Sequence, residues 1–179
     1  MSSFFSNDKV PALVDSTEAD VLHVWDSLSI IEYLAENYSN SDSKKSGWPT
    51  DKKARSVERS LSAEMHSSFG ALRDALTMNC RKDFPNYPIT LAVQEDVKRI
   101  SSVWEYAKKN YGKEGDWLFG EFSGADAMFA PVVIRLKGYD VKLSGYAAEY
   151  VDRVYNSEHM QGWIEAGKKE TQIILEYEV

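Results

Sequence analysis

The sequence predicts a mainly α protein with a small α/β front end. Three observations lead there. Two short apolar runs, Val10–Asp15 and Val21–Trp25, lie close together near the start. A single polar, turn-rich interruption follows at residues 39–49 (SNSDSKKSGWP). Beyond it, apolar residues recur every three or four positions almost to the end, the period of an amphipathic helix. The chain has 179 residues, 43% hydrophobic and 27% charged. That is enough for one packed domain or two small ones, and too apolar for disorder.

The elements follow in order. Val10-Pro11-Ala12-Leu13-Val14-Asp15 reads as a strand entered at a proline, and Val21-Leu22-His23-Val24-Trp25 as its hairpin partner. Asp26-Ser27 stands at the cap position of a helix carrying Leu28, Ile30, Ile31 and Leu34 and ending near Tyr38. After the polar stretch, Val57, Leu61, Met65, Phe69, Leu72 and Leu76 predict one long helix with one apolar stripe. Phe84-Pro85-Asn86-Tyr87-Pro88 breaks the pattern, and a second long helix runs through Ile89, Val93, Val97, Ile100, Trp104, Ala107 and Tyr111 until Gly112. Ser123 and Asp126 form a capping box before a helix that is apolar nearly all round, with Pro131 predicting a kink inside it. Shorter helices are expected over 145–155 and 158–166, and the tail 171–179 is ambiguous. The organisation is thus a front fragment (1–40), a linker (41–50) and an all-helical domain (51–179).

Composition excludes several functions. With 21 basic and 28 acidic residues the formal charge is −7, a poor match to phosphate backbones or anionic membrane surfaces. Neither nucleic acid nor membrane is an expected partner. The start lacks a basic and apolar leader, no run reaches the roughly 18 apolar residues of a membrane span, and a cytoplasmic location is expected. Cys80 is alone, so neither an intrachain disulfide nor a cysteine-based zinc site is possible. His23, His66 and His159 lack second ligands at helical spacing, so no metal site is expected. His66, beside the apolar Met65, reads as a histidine satisfied by local hydrogen bonds. Lys44-Lys45 and Lys52-Lys53 read as solvated charge.

Two short segments have further chemical potential. A strand entering at Val10-Pro11 with a cis peptide presents the Val10 backbone N–H and C=O to a ligand. Asp26-Ser27 at a helix N-terminus offers a hydroxyl, free amides and a positive dipole end for a carboxylate, with an aspartate beside them for an ammonium. Together they suit a peptide-like ligand bearing an α-amino acid terminus. Each is ordinary when taken alone.

The order of these features, from Val10 to about Gly167, resembles the cytosolic glutathione transferases. The residues that carry the resemblance are Lys9-Val10-Pro11-Ala12-Leu13-Val14, Val24-Trp25-Asp26-Ser27 with the helix through Leu34, and Ser123-Gly124-Ala125-Asp126 followed by Ala130-Pro131. Gly47-Trp48-Pro49 and Ala63-Glu64-Met65-His66-Ser67-Ser68-Phe69 look like a bacterial subgroup. The resemblance implies a partial thioredoxin-like fragment joined to the family's all-helical C-terminal domain. It implies that Val10 pairs its backbone with the cysteinyl part of glutathione next to a cis bond to Pro11. Asp26 and Ser27 would hold the γ-glutamyl amino and carboxylate groups, and Lys9 would reach toward the glycyl carboxylate. Glutathione would be the co-substrate, a small apolar electrophile the second substrate, and a two-fold homodimer the assembly.

The family carries its sulfur-activating hydroxyl or thiol on a preceding strand–helix–strand unit, which needs roughly 30 residues or more. Only nine residues stand before the Val-Pro pair, so the sequence reads as a truncated member and nominates no catalytic residue. Two functions remain open at this stage. One is a glutathione transferase with weak or no conjugating activity as this chain; the other is a non-catalytic interaction or ligand-holding module using the helical domain.

Overall fold

The computed structural model describes residues 9–17, 20–38 and 47–175. Strands β1 (Ala12–Asp15) and β2 (Leu22–Trp25) pair antiparallel, with Ala12 opposite Trp25 and Asp15 opposite Leu22. Both are shorter than the apolar runs that predict them. Helix α1 (Ser27–Asn37) follows directly. It lies against α2 (Lys52–Ser67) and α5 (Gly124–Gly138), and β2 packs on its flank.

The predicted long helix over 57–76 is two helices, which corrects the sequence reading. Helix α2 ends at Ser67, Phe69 takes a left-handed conformation (φ 62°), and α3 (Gly70–Ala75) restarts in a new direction. The physical reason is that Phe69 buries its ring at the corner, and the apolar spacing continues unbroken across it. The Arg73 guanidinium turns back to donate to the carbonyls of Met65 (2.6 Å) and His66 (3.2 Å), satisfying the exposed end of α2. An Asp96 carboxylate from α4 (Leu91–Tyr111) accepts from the Leu72 amide at 2.9 Å. Periodicity alone does not register such a corner.

Helices α4, α5, α6 (Gly145–Tyr155) and α7 (Glu158–Lys169) complete the body. Trp104 meets Phe129 edge-on (5.4 Å between centroids) and Tyr150 at 4.7 Å, joining α4, α5 and α6. Helix α5 is buried along most of its length, as its all-round apolar pattern predicts, and Pro131 sits inside it. Its capping box forms, with the Ser123 amide donating to Asp126 Oδ2 at 3.0 Å. Residues 171–174 are irregular and exposed; Arg81 Nη1 reaches the Glu170 carbonyl (3.1 Å) just before them.

Most of the expected linker, 41–46, lies outside the described residues, as do 39 and 40. Its last residues are packed. Trp48 is buried and donates its indole N–H to Glu32 Oε2 of α1 (3.1 Å). The Gly47 carbonyl accepts from the Gly124 amide at the start of α5 (2.8 Å). A side chain at Gly124 would meet the Trp48 ring at 2.9 Å, so glycine is required for this approach. Trp48 thereby joins the front end to the helical body.

Candidate functional site

The hairpin register builds one end of the site. The pairing ends at Ala12 opposite Trp25; Val10 and Pro11 directly precede Ala12, and Asp26 and Ser27 directly follow Trp25. Four of the five residues nominated from sequence therefore flank the same end of the hairpin along the chain; Lys9, exposed, precedes them. The Val10–Pro11 bond is cis, as the resemblance implies. Val10 is 92% exposed.

Asp26 is the N-cap of α1 and adopts φ 75°, a conformation strained for a side chain other than glycine. Its Oδ1 accepts from the amides of Leu28 (3.0 Å) and Ser29 (3.3 Å). The Ile30 amide closes the first turn onto the Asp26 carbonyl at 2.9 Å. Of the four amides at the head of α1, three are thus used internally. The fourth, Ser27 N–H, and the Ser27 hydroxyl have no hydrogen-bond partner among the described residues. Both project from the positive end of the helix dipole, where a carboxylate is favoured.

Asp26 Oδ2 faces α2, where the His66 Nε2–H meets it at 2.9 Å. Sequence reading takes His66 as locally satisfied; its partner is 40 positions away, on another element. No spacing rule links the two, so the pair is visible only in three dimensions.

A second polar cluster, sharing no residue with the Asp26–His66 pair, lies inside the body. Glu58 of α2 is fully buried, and its Oε1 accepts from the Ala125 amide at 2.9 Å. Burial pushes its carboxyl up to about 7, with the neighbouring Asp126 charge adding to the effect. Burial likewise pushes Asp126 up to about 6, although Tyr150 Oη donates to its Oδ1 at 2.8 Å. Glu58 Oε2 and Ser62 Oγ, one turn apart on α2, have no partner there. Sequence patterning gave no sign of this buried glutamate. A third cluster ties the front end together: Asp15 Oδ2 accepts from the hydroxyls of Tyr33 (2.5 Å) and Tyr38, and Thr17 donates twice to Oδ1. These hydrogen bonds hold the Asp15 carboxyl well below the usual range and push the Tyr33 hydroxyl up to about 12.

An apolar cavity of about 640 Å³ opens on the far half of α1, between Ile31, Leu34 and Tyr38 on one side and Trp117 and Phe122 on the other. None of the cradle residues lines it. Among the described residues no group of three or more histidine, cysteine or carboxylate side chains is placed to hold a metal ion. No helix among them is long and apolar enough to cross a membrane.

A glutathione transferase homologue from Burkholderia gl BGR1, crystallised with bound glutathione, matches this backbone with a TM-score of 0.61. The match covers 92% of this chain and 75% of that one, at 22% identity. The fold is glutathione-transferase-like. No protein-family model matches the chain, and no curated protein does. Within this glutathione-transferase-like fold, the cis Val10–Pro11 bond, the capped α1 N-terminus and the capping box of α5 fall at the positions on which the sequence resemblance rests.

Proposed function

We propose that this chain is a glutathione-binding protein of the glutathione transferase type, close to its bacterial members. The observation that carries this reading is that three unlike groups flank the Ala12–Trp25 end of the hairpin. They are the exposed Val10 backbone, the unspent Ser27 amide and hydroxyl, and the Asp26 carboxylate. A γ-glutamyl terminus carries one ammonium and one carboxylate on the same carbon. Asp26 Oδ2 takes the ammonium, Ser27 takes the carboxylate, and Val10 pairs with the peptide that follows. Lys9 extends toward the glycyl end.

Transfer of glutathione to an electrophile needs a donor that lowers the thiol pKa, so that thiolate is present near neutral pH. Asp26 and Ser27 address the γ-glutamyl end, far from the sulfur, and we propose no catalytic residue. Conjugation by residues 1–179 is accordingly weak, with small apolar electrophiles as the second substrate. Residues 1–40 act as a partial thioredoxin-like fragment and residues 51–179 as the helical domain. A cytoplasmic location fits a glutathione-dependent reaction. Exposed Val14, Leu22 and Trp25 on the hairpin support association into a homodimer.

A second reading has one observation of its own. The apolar cavity against Leu34 and Phe122, apart from the cradle, suits a module that holds a ligand without conjugating it. Calorimetry separates the two. Saturable glutathione binding that weakens by about tenfold or more in Ser27→Ala, the loss of a charge-assisted hydrogen bond, supports the first reading. Wild-type protein that takes up an apolar ligand and shows no heat with glutathione supports the second.

A further inference from the structure

We infer that His66 is a positioning residue that sets the Asp26 carboxylate for the ligand's α-ammonium, and so makes the site select for a free amino group. This inference rests on the glutathione-binding reading above. The starting point is how little of Asp26 is left for a ligand. Its Oδ1 is occupied by two amides of α1, which leaves Oδ2. The His66 imidazole takes one lone pair of that oxygen at 2.9 Å and leaves the other. A carboxylate anchored at both oxygens has a fixed plane, so the remaining lone pair has a fixed direction.

His66 is itself held. It lies in the last turn of α2, where Met65 is buried and Arg73 grips the carbonyls of Met65 and His66. The chain then turns away at Phe69, leaving the imidazole at the helix end. The imidazole stands in the last turn of α2 and the Asp26 carboxylate at the N-cap of α1, so the pair bridges the ends of two helices. Glycine would relieve the backbone at φ 75°, yet the position carries a carboxylate fastened from two sides. The helical body, through His66, thus orients the anion that the front end presents.

A simple clamp between α1 and α2 would also contain this contact, so the test needs a readout that a clamp leaves unchanged. Calorimetry on the full 179-residue chain compares reduced glutathione with glutaryl-cysteinyl-glycine, the same tripeptide lacking only the α-amino group. Wild type is expected to prefer glutathione. His66→Ala lowers that preference by about tenfold, through weaker glutathione binding with the deamino peptide little changed. His66→Gln, which keeps a donor of similar reach, restores most of it, and His66→Asn, too short to reach, does not. The last pair decides the matter if the alanine variant is unfolded by circular dichroism. An unchanged preference in His66→Ala or His66→Asn, an equal loss for both peptides, or a gain in glutathione affinity overturns the inference while leaving glutathione binding intact. Wild-type protein that binds neither peptide overturns the binding reading itself, and the inference with it.

Discussion

The hairpin with α1 and the helices from α2 onward treat their apolar residues in opposite ways. Val14, Leu22, Trp25, Leu34 and Tyr38 are exposed, and α1 contains no buried residue at all. Helix α5 buries Met128, Phe129, Val132, Val133, Ile134 and Leu136 along one continuous run. A two-stranded hairpin is marginal by itself. Of the front end, Leu28 and Ile31 pack against the core, and directed bonds add to them: Asp15 to two tyrosines, Glu32 to Trp48 and Arg59, and Asp26 to His66. The difference shows two sources of order in one chain, apolar packing in the body and, in front, a few directed bonds added to the packing of α1. Val10, Asp26 and Ser27 lie in the front end, where few side chains are fully buried.

The strongest way to break the comparison is to hollow out the body. Phe129→Ala is expected to cost about 3–5 kcal/mol in urea unfolding, whereas Val14→Ser on the exposed hairpin stays within about 0.5 kcal/mol. Equal losses at the two positions would show that the hairpin shares the apolar core.

Glu58→Gln sharpens the contrast from inside the body. The folded carboxyl is raised to about 7, so the folded state holds a proton that the unfolded chain releases near its ordinary value of 4.5. Wild-type stability therefore falls as pH rises from about 4.5 to about 7. Glutamine keeps the acceptor for Ala125 without the charge. The variant is expected to be more stable than wild type at pH 8, by on the order of 2 kcal/mol, and to lose most of this advantage at pH 4.5. Parallel denaturation curves for the two proteins across that range would count against it.

The smallest effect belongs to the front end. Asp15 is held below its ordinary range, so its contribution is present above the unfolded value of 3.8 and is lost as pH falls through the depressed folded value. Replacing Tyr33 and Tyr38 together by phenylalanine is expected to weaken amide-exchange protection in β1 and β2 at pH 6, with little change in the body. The gap from wild type should narrow on acidification below about pH 4. Loss of protection spread evenly over α4 and α5 would mean that front and body unfold as one.

Much of this architecture was legible in the residues. The Ser123–Asp126 spacing marks the start of α5, and its all-round apolar run marks its burial, because both are local signals. Helices over 145–155 and the start of the next at 158 follow from the same kind of pattern. Of the cradle, the hairpin, the cis bond and the Asp26 cap are implied by neighbouring residues and by the family resemblance. What was hidden depends on distant partners. The apolar stripe through Met65, Phe69 and Leu72 continues across the corner at Phe69 and conceals it. His66 gains its meaning from Asp26, and Glu58 from an amide 67 positions away. Neither leaves a periodic trace.

The seam at Trp48 and Gly124 carries a consequence for how such chains can be recombined. The indole edge would lie 2.9 Å from any β-carbon placed at 124, and the Ile31 side chain 3.0 Å. A chimera that exchanges front ends between relatives must therefore transplant the tryptophan and the glycine as a matched set. A body that carries a larger residue at 124 forces the graft to open against the tryptophan and Ile31, so a glycine is expected there wherever the tryptophan is kept.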